Sequence, residues 1–229
     1  MTIGVIGMGY VGTALKESFK SYHEIETYDL DDSLSSCDSI NTLISKTQII
    51  FLCVPTPMNK NGSCDLSIVE GIIAEIDSCI KDKSDKIVVI KSTVPPGATE
   101  KLNNKNDKFD IIFNPEFLTE ANFIEDFKNQ NRIILGGLKA ITDKIKQIYI
   151  EIFPKAKIIE TDSTHAEMVK YFANTFLATK VSFANEMKMI CDKLDIDYNK
   201  VVEYAIYDDR LGDSHWSVPG PDGKLGFGG

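Results

Sequence analysis

The chain has 229 residues, with 25 Lys and Arg against 34 Asp and Glu, and therefore a formal net charge of −9. Nucleic acids and anionic membranes are bound through clustered basic side chains, so this balance argues against both as partners. The 43% of hydrophobic residues is typical of a globular protein, and no apolar run approaches the roughly 20 residues of a membrane span.

The cysteines are scattered along the chain and form no CxxC pair. An odd number of unclustered thiols is typical of reduced cysteines in a cytoplasmic protein, and it predicts neither a disulfide framework nor a zinc site. We expect no bound metal, and structural roles for Cys37, Cys53, Cys64, Cys79 and Cys191.

Short runs rich in β-branched residues alternate with segments of helical periodicity along most of the chain. Strands are predicted at residues 3–6, 25–28, 49–54, 87–90, 109–113, 132–135 and 157–161, and helices between them at residues 11–19, 66–80 and 141–153. Most strand candidates are continuously apolar, as expected for strands that are buried on both faces. The alternation predicts βαβ units and a mostly parallel, doubly wound α/β sheet of Rossmann type.

A single long helix is predicted after the last strand, from about Thr164 to Leu194. Thr164 followed three positions later by Glu167 matches a capping box. Neither glycine nor proline interrupts the run, and at about 1.5 Å per residue the helix would be roughly 45 Å long. A helix of this length is typical of a strut that leads to a second domain or a dimer interface.

The domain organisation follows from this change of pattern. We expect a nucleotide-binding domain in residues 1–162 and, in residues 163–229, the start of an incomplete helical central domain, with a shorter helix at residues 199–207. The apolar stripe of the long helix has little of its own domain to cover it, so we expect a homodimer or a higher homo-oligomer.

The first strand is followed by a glycine motif that opens a helix, with Gly7, Gly9 and Gly12 in GxGxxG spacing. The first glycine permits a tight turn, the second lets backbone approach a pyrophosphate, and the third lets helix and strand pack closely. Asp29 ends the second strand, where a carboxylate binds a ribose diol and repels a 2′-phosphate. The motif predicts an NAD site; the alternative is a glycine turn in an α/β protein that binds no nucleotide.

Two further motifs follow predicted strands and carry threonines between prolines or before them. Thr56 lies in Val-Pro-Thr-Pro after the third strand, and Thr93 lies in Lys-Ser-Thr-Val-Pro-Pro-Gly after the fourth. Open parallel sheets bind ligands at the carboxyl ends of their strands. These hydroxyls are therefore candidate ligand contacts, with turn stabilisation as the alternative.

Two pairs of polar residues have the spacing of one helical turn. In the segment after the fifth strand, Asn114 can cap a helix that places Glu116 and Glu120 on one face. This pair suggests a general base and a positioning carboxylate, or else two glutamates that favour the helix dipole. Lys170 and Asn174 on the long helix suggest donors to an oxyanion, or else a solvated polar stripe.

Taken together, these motifs resemble the UDP-glucose/GDP-mannose dehydrogenase family. They occur in the family's order and extend over nearly the whole chain, at residues 7–12, 54–57, 92–97, 114–120, 166–174, 208–212 and 226–229. The resemblance implies oxidation of a nucleotide sugar, UDP-glucose above all, at its C6 alcohol to a carboxylate with two NAD⁺. It also implies a cysteine that holds the aldehyde as a thiohemiacetal and then as a thioester, and a product used in polysaccharide synthesis.

Residue roles are carried over from the family position by position. Glu116 looks like the base for hydrolysis, Lys170 and Asn174 like the oxyanion stabilisers, and Thr93 and Glu120 like the groups that place water and nicotinamide. The set expected to contact NAD is Gly7, Gly9, Tyr10, Val11, Gly12, Asp29, Pro55, Thr56, Thr93 and Glu120. The set expected to contact the nucleotide sugar is Glu116, Phe117, Leu118, Lys170, Asn174, Arg210, Phe227 and Gly228, with Arg210 reaching the substrate of a neighbouring subunit.

The chain departs from the family pattern at Thr119, where many members have Arg, and in residues 213–225, whose loop differs and suggests altered substrate choice. The glycine-rich ending resembles the loop before the catalytic cysteine, which the resemblance places about two residues beyond Gly229 together with a Lys-Asp pair and the UDP-binding domain. We therefore expect this polypeptide to bind NAD but to produce no NADH from UDP-glucose.

Three alternatives remain at the level of sequence. The substrate could be another nucleotide sugar, such as GDP-mannose or a UDP-N-acetylhexosamine. A β-hydroxyacid dehydrogenase shares a glycine-rich NAD domain followed by a long helix, but it has no need of the Asn-Pro-Glu-Phe-Leu segment or the glycine-rich ending. The third alternative is an NAD-binding or dimerising fragment without turnover.

Overall fold

The computed structural model describes residues 1–227, which contain seven strands and eight α-helices. The strands are β1 (Thr2–Ile6), β2 (Glu24–Tyr28), β3 (Ile49–Leu52), β4 (Ile87–Ile90), β5 (Asp110–Phe113), β6 (Arg132–Gly136) and β7 (Lys157–Thr161). The helices are α1 (Tyr10–Phe19), α2 (Ile40–Lys46), α3 (Ser67–Cys79), α4 (Ala98–Asn104), α5 (Phe123–Lys128), α6 (Lys139–Ile152), α7 (Ser163–Lys193) and α8 (Tyr198–Ala205).

All seven strands form one sheet in the order β2-β1-β3-β4-β5-β6-β7. Neighbouring strands are parallel except β5 and β6, which meet antiparallel through the single pair Phe113 and Gly136. The chain winds outward from β1 in both directions, so the carboxyl ends of β1 and β3 meet at a point where ligands bind in open α/β sheets. The sheet is therefore the predicted doubly wound α/β sheet of Rossmann type.

Apolar side chains cover both faces of the sheet. One core cluster packs α2, α3 and α4 against one face, and the other packs α1, α5 and α6 against the opposite face. The second cluster contains a group of edge-to-face aromatic rings in which Phe19 contacts Phe51, Phe127 and Tyr149. Burial on both faces explains why β3 and β4 are continuously apolar.

The predicted elements are recovered with small shifts of their ends, and α7 spans the predicted long helix. Two local predictions are wrong. Residues 114–119 form no helix, because the Asn114 side chain binds other strands and helices and the Glu116 side chain accepts from the Leu118 N–H at 2.7 Å. The capping box is also absent, because Asp162 caps α7 at the His165 N–H and Glu167 binds elsewhere.

The chain divides into two compact units, Met1–Lys170 and Tyr171–Gly229. In the described part of the second unit, the loop after α8 returns to α7 through Trp216. The Lys180 ammonium lies 4.4 Å from the centre of the Trp216 ring, and Phe183 meets the same ring edge-to-face. No helix within residues 1–227 is long and apolar enough to cross a membrane.

Candidate active site

The glycine loop between β1 and α1 needs its three glycines for three different reasons. Gly7 has φ +90°, and a Cβ there would lie 2.6 Å from the Cys53 carbonyl oxygen. A Cβ on Gly12 would lie 2.0 Å from the Gly7 carbonyl oxygen, so the helix can approach the turn only at a glycine. A Cβ on Gly9 would meet no described atom within 4 Å. The loop is thus closed on its protein side and open where a ligand would approach.

The open side of the loop coincides with the N-terminus of α1. Gly9 is the N-cap and has no side chain to accept from the first N–H groups of the helix, which leaves them for an anion such as a pyrophosphate. Tyr10 and Val11 follow in the first turn. Tyr10 is exposed, and its ring packs 5.1 Å from that of Phe123. These features fit the pyrophosphate of a dinucleotide.

Asp29 lies beside this loop at the end of β2. Its Oδ2 accepts a hydrogen bond from the Met8 N–H at 2.6 Å, and its Oδ1 accepts from the Asp31 N–H at 3.0 Å. The carboxylate therefore holds the glycine loop against the end of the neighbouring strand. Its position next to the loop fits the ribose diol of NAD, and a negative charge there disfavours the 2′-phosphate of NADP.

The two proline-threonine motifs are bonded to each other at the carboxyl edge of the sheet. The Thr56 hydroxyl donates to the Thr93 carbonyl oxygen at 2.7 Å, and the Ser92 hydroxyl donates to the Val54 carbonyl oxygen at 2.6 Å. Turn stabilisation, the alternative open at the level of sequence, is what the Thr56 hydroxyl does in this structure. Pro55, which stands between Val54 and Thr56 in the chain, is exposed.

Lys170 and Glu116 form a nearly enclosed ion pair at the same edge. The Lys170 Nζ donates to Glu116 Oε1 and to the Glu116 carbonyl oxygen, each at 2.7 Å. The side chains are 6% and 16% exposed, respectively. Because the second carboxylate oxygen accepts from the Leu118 N–H, the carboxylate is fixed from two sides. The two residues that sequence reasoning assigned to separate roles are thus direct partners.

Phe117 is the next residue of this segment, and two cations lie near its ring. The Arg132 guanidinium stacks 4.2 Å from the centre of the Phe117 ring, and the Lys170 Nζ lies 5.5 Å from it. A cavity of about 460 Å³ opens here, lined by Glu116, Phe117 and Leu118 together with Thr119, Arg132 and residues from α5. Sequence reasoning missed Arg132, because it begins a strand with no motif around it.

A buried polar network around Asn114 fixes the start of the segment that carries Glu116 and Phe117. Asn114, 1% exposed, accepts from the Lys91 Nζ at 2.9 Å and from the Tyr149 hydroxyl at its side-chain oxygen, and its amide donates to the Ile134 carbonyl oxygen at 2.8 Å. Burial lowers the pKa of Lys91 to about 8. The sequence gives one signal for this network: a lysine and an asparagine that directly follow apolar strands.

Cys53 lies next to the glycine loop, where its carbonyl oxygen is 2.6 Å from the position of a Cβ on Gly7. Although the residue is partly exposed, burial raises the pKa of its thiol to about 12. A thiol of this pKa stays protonated near neutral pH and is a poor nucleophile. The prediction that this cysteine is structural fits its surroundings.

The remaining predicted site residues make other contacts, and each is described within its own unit. Glu120 is exposed and begins a 3-10 turn rather than sharing a helix face with Glu116. Asn174, Arg210 and Phe227 belong to the second unit, where the exposed Arg210 pairs with Asp208 at 2.5 Å. Gly228 lies outside the described residues.

The fold, the glycine loop and the carboxylate at the end of β2 define a dinucleotide-binding α/β protein. The NAD binding domain of the UDP-glucose/GDP-mannose dehydrogenase family matches residues 23–154, and the central domain of the same family matches residues 164–229. The chain belongs to this family, and NAD is the cofactor of its first domain.

Relatives of known name agree with this assignment. UDP-glucose 6-dehydrogenase of Rickettsia bellii is 37% identical over 195 residues, which cover 82% of this chain and 43% of that protein. A UDP-glucose dehydrogenase from Pyrobaculum islandicum superposes with a TM-score of 0.86 at 30% identity, covering 94% of this chain and 58% of that one. GDP-mannose dehydrogenase from Pseudomonas aeruginosa superposes with a TM-score of 0.80 at 27% identity, covering 95% of this chain and 59% of that one. The chain spans about half the length of such relatives.

Proposed function

We propose that this chain is the NAD-binding part of a nucleotide-sugar 6-dehydrogenase that oxidises UDP-glucose to UDP-glucuronate. The overall change is from a primary alcohol to a carboxylate: one water is consumed, two NAD⁺ each accept a hydride, and three protons are released. The observation that carries the proposal is the Lys170–Glu116 ion pair at the ligand-binding edge of an NAD domain of this family.

The roles of the pair follow from its chemistry. An ammonium that is held nearly dry stabilises a developing oxyanion more strongly than one in water, so Lys170 is the proposed oxyanion donor. Glu116 is the proposed base for hydrolysis, and its contact with Lys170 keeps its carboxylate oriented. Phe117 and Leu118 line the cavity beside the pair and are the proposed sugar contacts. Thr93 and Glu120 are proposed to place water and nicotinamide.

The second unit supplies the remaining proposed parts. Asn174 is the proposed second oxyanion donor, and Arg210 and Phe227 are proposed substrate contacts, with Arg210 acting on a neighbouring subunit. We propose a homodimer or a larger homo-oligomer, because α7 exposes large apolar side chains such as Phe172 and Phe176, 70% and 61% exposed. The domain division at residues 162 and 163 and a cytoplasmic location remain proposals on the same footing.

Two alternatives are kept. Another nucleotide sugar, including GDP-mannose, is favoured by the structural likeness to the GDP-mannose dehydrogenase. The second alternative is a chain that binds NAD without turnover.

Calorimetric titration with NAD and NADP tests the cofactor part of the proposal. We expect saturable binding of NAD and binding of NADP at least about tenfold weaker, because the Asp29 carboxylate repels a 2′-phosphate. Asp29→Asn should weaken NAD binding and narrow this preference, whereas Asp85→Asn, at an exposed position before β4, should leave both unchanged. A wild-type chain that binds no NAD would contradict the proposed function.

Substrate choice is tested separately by NMR saturation transfer from the NAD-loaded chain to UDP-glucose, GDP-mannose and UDP-N-acetylglucosamine. We expect the largest signal for UDP-glucose, and a larger signal for another sugar would reassign the substrate. NADH absorbance, followed in the same mixtures, should stay constant. Sustained NADH production by the purified chain would refute its proposed inactivity on its own.

A further inference from the structure

Glu167 is a carboxylate with no exposed surface in the second turn of α7. A buried charge is costly unless hydrogen bonds satisfy it. Its Oε1 accepts from the Thr99 N–H at 2.8 Å, and its Oε2 accepts from the Gly97 N–H. These donors are about seventy residues away in sequence, so the contact joins two elements that are distant along the chain.

The bonded amides are those of the N-terminus of α4. Gly97 is the N-cap of this helix, adopts the left-handed conformation at φ 86°, and has no side chain with which to cap it. The Glu167 carboxylate takes the place of that cap, in the position where a negative charge is favoured by the helix dipole. The loop that leads into α4 carries Thr93. The carboxylate therefore fixes the end of that loop as well as the helix.

Lys170 follows Glu167 by three positions and lies on the same side of α7. The first turns of α7 thus bind two segments at the sheet edge. Glu167 accepts hydrogen bonds from the N-terminus of α4, and Lys170 pairs with Glu116. The same turns of α7 also pack closely against β6, because a Cβ on Gly136 would lie 2.5 Å from the Ala166 Cβ. With the backbone so near β6, the rotation of α7 about its axis decides where the Lys170 ammonium points.

We propose that Glu167 is a positioning residue, which fixes the rotation of α7 so that Lys170 meets Glu116 beside the loop that carries Thr93. The catalytic meaning of this inference rests on the proposed function, but the geometric claim stands without it. A carboxylate that only capped α4 would stabilise the fold and leave the Lys170–Glu116 interaction unchanged. The two possibilities therefore differ in a measurable quantity.

The test is a double-mutant cycle in two backgrounds. Lys170→Met, Glu116→Gln and their combination are made in the wild-type chain and in Glu167→Gln, and urea unfolding is measured for all eight proteins. In the wild-type chain we expect a coupling of about tenfold in the unfolding equilibrium constant, since both groups are largely enclosed. In the Glu167→Gln background the coupling should fall to about threefold or less.

Glu100→Gln is the matched control, because it removes the same charge from an exposed position of α4. It should leave the coupling at its wild-type value. Glu167→Asp, which keeps the charge but withdraws it by one methylene, should give an intermediate coupling and serves where Glu167→Gln does not fold. An unchanged coupling in Glu167→Gln or Glu167→Asp would overturn the inference.

Hydrogen exchange of the unaltered protein gives a reading that needs no variant. The Gly97 and Thr99 amides should exchange as slowly as the amides of the second turn of α7, because one opening exposes them all. Much faster exchange at Gly97 and Thr99 would contradict stable hydrogen bonds from these amides to Glu167. Failure of NAD binding, by contrast, would contradict the proposed function and leave these measurements unaffected.

Discussion

The Lys170 ammonium donates to both the carbonyl oxygen and the carboxylate of Glu116, at 2.7 Å in each case. A base that is held by the same cation proposed to stabilise an oxyanion is oriented before any ligand arrives. The cost is a charge pair that is largely removed from water, which makes each partner dependent on the other. This dependence leads to the first prediction.

Replacing Lys170 by Met should destabilise the chain by about 2–3 kcal/mol, because the Glu116 side chain would be left in a nearly enclosed position without its ammonium partner. The free energy of unfolding in urea measures the effect. Lys188→Met, which breaks the exposed pair with Asp192, is the control and should cost no more than about 0.5 kcal/mol. Equal losses in the two variants would show that the Glu116 pair has no special dependence on its environment.

The glycine loop should separate stability from cofactor binding. Gly12→Ala places a Cβ about 2.0 Å from the Gly7 carbonyl oxygen and should destabilise the fold and abolish NAD binding together. Gly9→Ala meets no described atom within 4 Å, so it should keep stability within about 1 kcal/mol while its methyl group obstructs the pyrophosphate. Calorimetric titration and thermal unfolding measure the two effects.

Gly71→Ala in α3 controls for the general effect of replacing glycine in this chain. Its Cβ also meets no described atom within 4 Å, and a helix interior favours alanine by about 0.5–1 kcal/mol. This variant should be more stable than the wild type and bind NAD equally well. If Gly9→Ala bound NAD as tightly as Gly71→Ala does, the assignment of the open side of the loop to the pyrophosphate would fail.

Stability should depend on pH through Lys91. Burial lowers the pKa of this amine from 10.5 to about 8 in the folded chain, so the unfolded chain binds more protons between these values. Stability therefore rises as the pH increases from 8 to 10.5, by up to about 3 kcal/mol. Below pH 8 the amine is protonated in both the folded and the unfolded chain, so the free-energy cost of burying its charge does not change with pH.

Urea unfolding at a series of pH values measures this slope, and Lys91→Met should remove it. Lys101→Met, an exposed lysine of α4, should retain it. Tyrosines and cysteines also titrate in this range, so the difference between the wild type and Lys91→Met is the relevant quantity. A difference that is independent of pH would show that Lys91 has an ordinary pKa in the folded chain.

Trp216 is the single tryptophan of the chain and reports on the loop after α8. Lys180 covers its ring and donates to the Leu211 carbonyl oxygen at 2.8 Å. Lys180→Met should shift the tryptophan emission to the red, increase its quenching by acrylamide, and cost about 1 kcal/mol of stability. Lys200→Met, at an exposed position of α8, should change none of these. Unchanged emission in Lys180→Met would mean that the loop is held by other contacts.

Strands that are buried on both faces could be predicted from sequence, because every residue in them is apolar and a half-exposed strand would alternate with polar residues. The run Ile-Ile-Phe-Leu of β3 suits only a site without solvent. The short helices α2, α4 and α5 were not predicted. They have six or seven residues, too few for a periodicity to emerge, and helices of that length are stabilised by packing rather than by propensity.

The two wrong local predictions share a physical cause. Asn114 and Glu167 have side chains that suit a local helix cap, and a sequence pattern registers only neighbours in the chain. In the fold, distant backbone offers better partners: the Ile134 carbonyl oxygen for Asn114, and the amides of Gly97 and Thr99 for Glu167. A buried polar group must be satisfied wherever it lies, and tertiary structure decides by what.

The sequence by itself determined the doubly wound sheet, the glycine loop with Asp29, and the family to which the chain belongs, because hydrophobic period and glycine spacing are local and survive in the linear order of residues. Only the tertiary structure joined Lys170 to Glu116, bonded the buried Lys91 to Asn114, and turned Glu167 toward α4. These relationships span tens of residues, and they depend on which side of a helix faces the sheet and on which polar groups lose their water. Those quantities exist only once the chain has folded.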